Sequence, residues 1–288
     1  MKRSRAGHVL HFVADTGPLI HSRTPSVVTV HGVASKWVEG VRTRRAEAVW
    51  RHRVKAAIAS TAKVITVSES SADDIAEVFG IARASIAVIP HGIESDKFAQ
   101  ACSLSPEVRA VVPENYLLYV GNIEPRKNLI ELVAAAGSEG VRKLGLPLVI
   151  AGKAAWDADE AMSKIVASKN VIYVGFVSED DKIALMQNCA AFVFPSKYEG
   201  FGFPVLEAMA AGAAVITTDR GALREVAGPA KIIPGLDADS ITETIVDAVS
   251  DGSWMRDAAG RGRRWASTFA WEKSIDSHIG VYSSVVHA

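Results

Sequence analysis

The segment SKYEGFGFPVLEAMAAGAAVI places two carboxylates, Glu199 and Glu207, seven residues apart with glycines between them. Pro204 suits the first position of a helix and Gly212 its exit. The spacing therefore predicts a helix over 204–211, with Glu199 on the loop before it and Glu207 on its first turn. Gly200 and Gly202 let the backbone approach a ligand closely and aim N–H groups outward, and a helix N-terminus favours a diphosphate. One segment could thus offer a carboxylate to a sugar, amides to that sugar or its phosphates, and a second carboxylate to a vicinal diol such as ribose. The same residues also suit a plainer role, Glu207 as a helix-start acid and the glycines as turn formers. A second cluster, GNIEPRKNL, puts Arg126 and Lys127 where a helix should open, just beyond the apolar run YLLYVG. Two cations there can hold a diphosphate, each charged hydrogen bond contributing on the order of 1.5–3 kcal/mol. Basic residues ordinarily favour helix C-termini, which argues against a merely solvated helix start.

Other chemistry-bearing residues point less far. The triplets Asp157/Asp159 and Asp237/Asp239 have the Asp-x-Asp form that binds metal in some transferases, but both stand just before predicted helices and are expected to be caps, so no metal site is assigned. Cys102 and Cys189 are far apart with no histidine cluster, so neither a disulfide framework nor a zinc site is indicated. No apolar run is followed by Gly-x-Gly-x-x-Gly with a downstream acid, which argues against a dehydrogenase.

These residues need elements to position them. Short β-branched runs alternate with longer amphipathic stretches, the pattern of βα units and a parallel sheet. The first runs are Val9–Val13, Val27–His31, Lys63–Ser68 and Ile86–Pro90, with helices expected over 43–60 and 70–79. A polar stretch follows, and its prolines mark a boundary near 100–114. Six further strands are expected at Tyr116–Gly121, Leu148–Gly152, Val171–Val174, Ala191–Pro195, Ala214–Thr218 and Lys231–Ile233. Six strands make a complete doubly wound domain and four a partial one; in such sheets ligands sit beyond the C-terminal strand ends, where both clusters fall.

The 288 residues are 49% apolar and 22% charged, enough for one large or two modest cores. No run is long enough to span a bilayer and the start meets Asp15 too early for a signal peptide, so a cytoplasmic location is expected. Net charge is zero but lopsided: residues 1–65 carry +9 and the rest −9. A basic face around Arg42, Arg44, Arg45, Arg51, Arg53 and Lys55 suits anionic lipid at the inner face of a membrane or a phosphorylated acceptor, and equally a solvated helix face around an apolar stripe of Ala46, Trp50, Val54 and Ala57.

Taken in order, VIPHGIESDKF, YLLYVGNIEPRKNL, VIYVGFVSEDD and FVFPSKYEGFGFPVLEAMAAGAAVI resemble the retaining glycosyl transferases group 1 family, over nearly the whole chain. The resemblance implies an α/β protein of GT-B type, two Rossmann-like doubly wound domains with the N-terminal one incomplete: an acceptor-side domain over 1–105, a nucleotide-sugar domain over 106–270, and a closing helix over 271–288 that packs back on the first, with Trp265, Phe269 and Trp271 as core anchors. It implies that Glu207 binds the ribose, that Arg126 and Lys127 bind the diphosphate, and that Glu199 with the amides of Gly200, Phe201, Gly202 and Phe203 binds the transferred sugar. Phe176 and Val177 would border the base, with Gly121, Val205 and Leu206 completing the donor site. His31 matches a histidine facing the reacting centre, or is a hydrogen-bonded strand-end residue.

The implied function is transfer of a hexose from a nucleotide-diphosphate sugar to a glycan or lipid-linked acceptor, with retention, without metal or other cofactor and without a nucleic-acid partner. The PRKN form resembles mannosyltransferase-like members, which puts GDP-mannose ahead of UDP-sugars. The opening HVLHFVADTGPLIHSRTPSVVTVHG departs from the family pattern: it looks like the middle of the N-terminal domain, without the usual first strand and glycine-rich loop. The alternative is therefore a catalytically impaired remnant or subunit that binds nucleotide sugar without transfer, and an epimerase of similar fold is a third class.

Overall fold

The computed structural model describes residues 7–287, so Lys2, Arg3 and Arg5 of the basic head and the terminal Ala288 lie outside the described residues. The chain forms two compact units. The first comprises the chain through Gly92 together with Glu199–Phe201 and the residues from Phe269; the second comprises Ile93–Tyr198 and Gly202–Thr268.

In the first unit four strands, β1 (Leu10–Phe12), β2 (Ser26–Thr29), β3 (Lys63–Thr66) and β4 (Ile86–Val88), pair in parallel in the order β1-β2-β3-β4. Their apolar runs are near-continuous because both faces are covered. Val28, Val64 and Ile86 face Val54 and Ala57 of helix Arg44–Ser60 and Ala72, Ile75 and Phe79 of helix Glu69–Phe79. Val27, Ile65 and Ile89 face the other way and pack with Val285 of helix Trp271–Val286. Thr43 and Ser68 cap the first two helices by accepting from the amides of Ala46 and Ser71. Two expectations need correction. Ala46 is exposed, because the buried stripe starts further along its helix at Val54. Trp271 keeps 39% of its surface exposed, because it opens its helix and only one side meets His91. β1 is an edge strand, and Leu10, Val13, Leu19 and Ile20 of the chain around it are exposed.

The second unit holds β5 (Leu117–Val120), β6 (Leu148–Ala151), β7 (Val171–Gly175), β8 (Ala191–Phe194), β9 (Val215–Thr217) and β10 (Lys231–Ile232), all parallel, in the order β10-β9-β8-β5-β6-β7. This is the doubly wound order, with the connection reversing direction between β5 and β8. Tyr116, Leu117, Leu118, Tyr119, Phe192 and Phe194 are fully buried, and the rings of Tyr119 and Phe194 stack at 5.8 Å, locking the two strands that flank the reversal. Among the described residues no helix is long and apolar enough to cross a membrane.

Candidate functional site

A crevice opens where neighbouring crossovers leave a doubly wound sheet in opposite directions. Here it lies between the segments that follow β5 and β8, and two hydrogen bonds to one carbonyl tie these together: the Lys197 amide donates to the Arg126 carbonyl (2.9 Å), as does the Ser196 hydroxyl (3.2 Å). The Arg126 guanidinium donates to the Tyr198 carbonyl (2.9 Å) and meets the buried Glu124 carboxylate at 2.6 Å. Lys127 is buried, its ammonium 4.8 Å from the centre of the Phe194 ring at the end of β8. The two cations are at the expected edge but not in a helix start. They form a 3₁₀ turn, Pro125–Lys127, and Asn128, at φ 60°, separates it from helix Leu129–Gly137. Asn tolerates this left-handed conformation better than most residues, and its side-chain amide is held by the Leu236 carbonyl at 2.7 Å.

The helix after β8 runs Phe203–Ala211, bounded by Gly202 (φ 109°) and Gly212 (φ 93°). It begins one residue before the expected Pro204, so Glu207 lies beyond the first turn, where the role of helix-start acid does not apply. Its Oε2 pairs with Lys182 Nζ at 3.1 Å. Burial pushes the Glu207 carboxyl above its ordinary range, and Lys182 opposes that shift. The side chains of Val205 and Leu206 are fully buried and their amides donate to the Gly202 carbonyl, so neither side chain can line a site.

Beyond the ends of β5, β6 and β7 lies an open depression of about 520 Å³, within the usual size of a small-molecule site. It gathers the predicted Gly121, Phe176 and Val177 with Gly152, Lys153, Glu179 and Lys182. A Cβ at Gly152 (φ 152°) would overlap the Gly121 carbonyl oxygen, so the floor closes only with glycine there. Phe176 is 71% exposed at the rim, and the Lys153 ammonium sits 4.0 Å from its ring centre. Lys153 follows its strand directly, a signal the sequence carries; Lys182 stands mid-helix with nothing local to mark it.

The remaining predicted residues cluster in the first unit. Gly200 is pressed against His31: a Cβ there would overlap the His31 carbonyl oxygen. The Gly200 carbonyl accepts from the hydroxyls of Ser68 (3.0 Å) and Ser71 (3.2 Å). Phe201 meets the edge of His91 at 5.2 Å, and His91 stacks on His31 at 5.6 Å. His31 is also anchored as a strand-end residue, its amide donating to Asp15 Oδ1 (3.0 Å) and Nε2 lying 2.9 Å from the Val13 carbonyl. Glu199 is buried. Burial, with the charges of His31 and His278, lowers His91 to about 4.

Of the Asp-x-Asp triplets, Asp237 caps its helix, accepting from Ser240 N at 2.8 Å. Asp157 and Asp159 do not cap: Ala158 occupies the cap position and Asp157 adopts φ 48°. That turn points the Asp157 segment into a pit of about 200 Å³ shared with Glu124, Glu131, Glu160 and Lys197 instead of onto the helix amides.

Residues 104–265, more than half of the chain, match the family described as glycosyl transferases group 1. The chain belongs to that family. This group 1 chain also matches the family described as Glycosyltransferase Family 4 over residues 7–97. It is 30% identical over 227 residues to the O-antigen chain mannosyltransferase B of Escherichia coli, covering 76% of this chain and 60% of the relative. It is 30% identical over 273 residues to the glycogen synthase of Mycobacterium tuberculosis, covering 90% and 63%. The group 1 chain thus spans less than two thirds of the length of these relatives. Among solved structures it is similar to Anabaena HepE, described as in complex with UDP and glucose, with a TM-score of 0.73 and 19% identity, the match covering 91% of this chain and 72% of that one. That likeness bears on fold, which is the GT-B arrangement of two Rossmann-like units.

Proposed function

We propose that the chain carries the nucleotide-sugar site of a retaining glycosyltransferase, moving a hexose, with mannose first, from a nucleotide-diphosphate sugar to a glycan or lipid-linked acceptor. The observation that carries this is the reversal between β5 and β8, which holds Arg126 and Lys127 at one strand end and follows the other with the helix bearing Glu207. Glu207 takes the ribose diol, Arg126 and Lys127 the diphosphate, and Phe176 and Val177 the base, while Glu199 and the amides of Gly200 to Phe203 take the hexose. His31 faces the reacting centre. The acceptor hydroxyl attacks the anomeric carbon on the face the diphosphate leaves. The new carbon–oxygen bond forms as the old one breaks, its electron pair stays on the diphosphate, and the diphosphate takes the hydroxyl proton. Arg126 and Lys127 stabilise the charge that grows there, a role a metal ion fills elsewhere. The mannosyltransferase relative favours mannose, and HepE, described with UDP, keeps the uridine nucleotide open.

Calorimetric titration with GDP, UDP and GDP-mannose, beside Glu207→Ala and the double variant Arg126→Ala/Lys127→Ala, tests the site. Micromolar binding abolished in both variants is expected, with any turnover indifferent to chelator. Binding that survives either variant sinks the assignment of that residue, and activity lost to chelator and restored by manganese sinks the metal-free mechanism. Binding without transfer is the second reading. It is favoured by the first unit's four-stranded sheet, whose strand order among the described residues runs without reversal and so forms no switch-point crevice there. Release of free nucleotide from GDP-mannose in the presence of acceptor glycans separates the two. The exposed Arg44, Arg45, Arg53 and Lys55 further support peripheral contact with the inner face of a membrane.

A further inference from the structure

Glu207 is the one charged residue in an otherwise apolar helix, between the buried Val205, Leu206, Ala208 and Met209. The elements packed on that helix bring a short list of charges. Helix Glu179–Asn188 brings Lys182 and Glu179, and helix Ser95–Ala99 brings Lys97. Helix Gly252–Ala266 brings Arg263, which is committed to the far end, donating to the Ala211 carbonyl at 3.2 Å. The first three groups and Glu207 form a ladder of alternating sign. Lys97 meets Glu179 Oε1 at 3.2 Å, Glu179 Oε2 meets Lys182 at 3.2 Å, and Lys182 meets Glu207 Oε2 at 3.1 Å. The Lys182 ammonium also lies 5.0 Å from the centre of the Phe98 ring, which restricts where it can move. Glu179 and Lys182 line the depression beyond β5, β6 and β7, so the ladder runs from the proposed nucleotide site to the carboxylate.

We propose that Lys182 is a positioning residue for the nucleoside: resting on Glu207 as the ribose ligand, it holds that side chain as an oriented carboxylate, fixing Oε2 and leaving Oε1 to the diol. A carboxyl in this apolar setting resists ionisation, and burial does push Glu207 up. A diol is bound through its two O–H donors, which need the acceptor-only, ionised form. Lys182 supplies the opposing charge, and Glu179, itself paired with Lys97, holds Lys182 from its other side. Without Lys182 the Glu207 carboxyl titrates higher still, and nucleotide binding becomes more dependent on pH than in the unaltered chain.

The test is calorimetric binding of GDP and UDP to the full chain at about pH 8 and about pH 5.5, for the unaltered protein, Lys182→Met, Lys182→Gln, Lys182→Arg and Glu207→Gln, with melting temperatures to confirm folding. Relative to the unaltered chain at each pH, Lys182→Met and Lys182→Gln are expected to lose about tenfold more affinity at the acid end than at the alkaline end, one tenfold step per unit by which the carboxyl rises. Lys182→Arg restores the original profile, and Glu207→Gln is weak at both. Equal losses at the two pH values, or none, overturn the inference and make Lys182 a packing residue or a direct nucleotide contact. Failure of the unaltered chain to bind either nucleotide, or full binding by Glu207→Gln, overturns the ribose assignment beneath it, and the two failures are told apart by those controls.

Discussion

His91 sits among aromatic neighbours, with His31 stacked on it, Phe201 edge-on and the Trp271 ring 5.9 Å away. An imidazolium there would lose solvent and meet two other histidines, His31 and His278, which is why burial first and those charges second bring it from 6.5 to about 4. The folded unit therefore binds fewer protons than the unfolded chain between those values. By linkage its stability is full above about 6.5 and is lost progressively as pH falls towards 4. Melting temperature followed from neutral to acid pH should fall across this window, and His91→Gln should flatten that part of the curve. A slope unchanged in the variant would mean that the acid sensitivity comes from other groups. His31, stacked on His91, is anchored at its strand end, with Nε2 lying 2.9 Å from the Val13 carbonyl.

At the level of elements, the floor of the depression depends on two strand ends approaching more closely than side chains allow. Gly152→Ala places a methyl group against the Gly121 carbonyl in a backbone conformation that favours glycine. A loss of about 1–3 kcal/mol in denaturant unfolding is expected, together with weakened nucleotide binding. Gly137→Ala makes the contrast: it closes helix Leu129–Gly137 with nothing within 4 Å of the added methyl, and should be neutral or stabilise by up to about 1 kcal/mol. Equal losses in both would show that the close approach is not what matters. These elements were largely legible in the sequence because strands buried on both faces read as unbroken apolar runs; Ala191–Phe194 is buried at every position. Strand-end chemistry was legible for the same reason, since a run that ends marks the edge where Arg126, Lys127 and Phe176 must fall. Local backbone was not. The left-handed Asn128 and Asp157 turn a basic helix start into a 3₁₀ turn and an acidic cap into a pit wall, and a side chain's type does not reveal its φ. Lys182 escaped for a different reason: its partner Glu207 is twenty-five positions away, on a neighbouring helix.

Over the whole molecule a zero net charge conceals a separation, with +9 in the first 65 residues and −9 in the remainder. Helix Arg44–Ser60 displays Arg44, Arg45, Arg53 and Lys55 to solvent, whereas Arg42 and Arg51 are partly spent on Glu47. At about 1 kcal/mol per basic residue near an anionic surface, four such groups supply roughly 4 kcal/mol. The chain should co-sediment with vesicles containing an anionic lipid, and Arg44→Glu/Arg45→Glu should weaken this about tenfold or more. About 0.5 M salt should abolish it, since screening shortens the reach of these charges. Equal partition onto purely zwitterionic vesicles would place the attraction in apolar contacts such as the exposed Leu19 and Ile20 instead. The interleaved make-up of the first unit carries a consequence for biosynthesis. Val27, Ile65 and Ile89 leave the ribosome early, and the Val285 that covers them is added almost two hundred residues later. At about 5–20 residues per second that is a wait of roughly 10–40 s, during which one face of a nascent sheet is bare. The sequence between, which builds the other unit, must be translated before the first can close. A ribosome that stalls before residue 271 leaves a product in which the face of Val27, Ile65 and Ile89 has no Val285 to cover it.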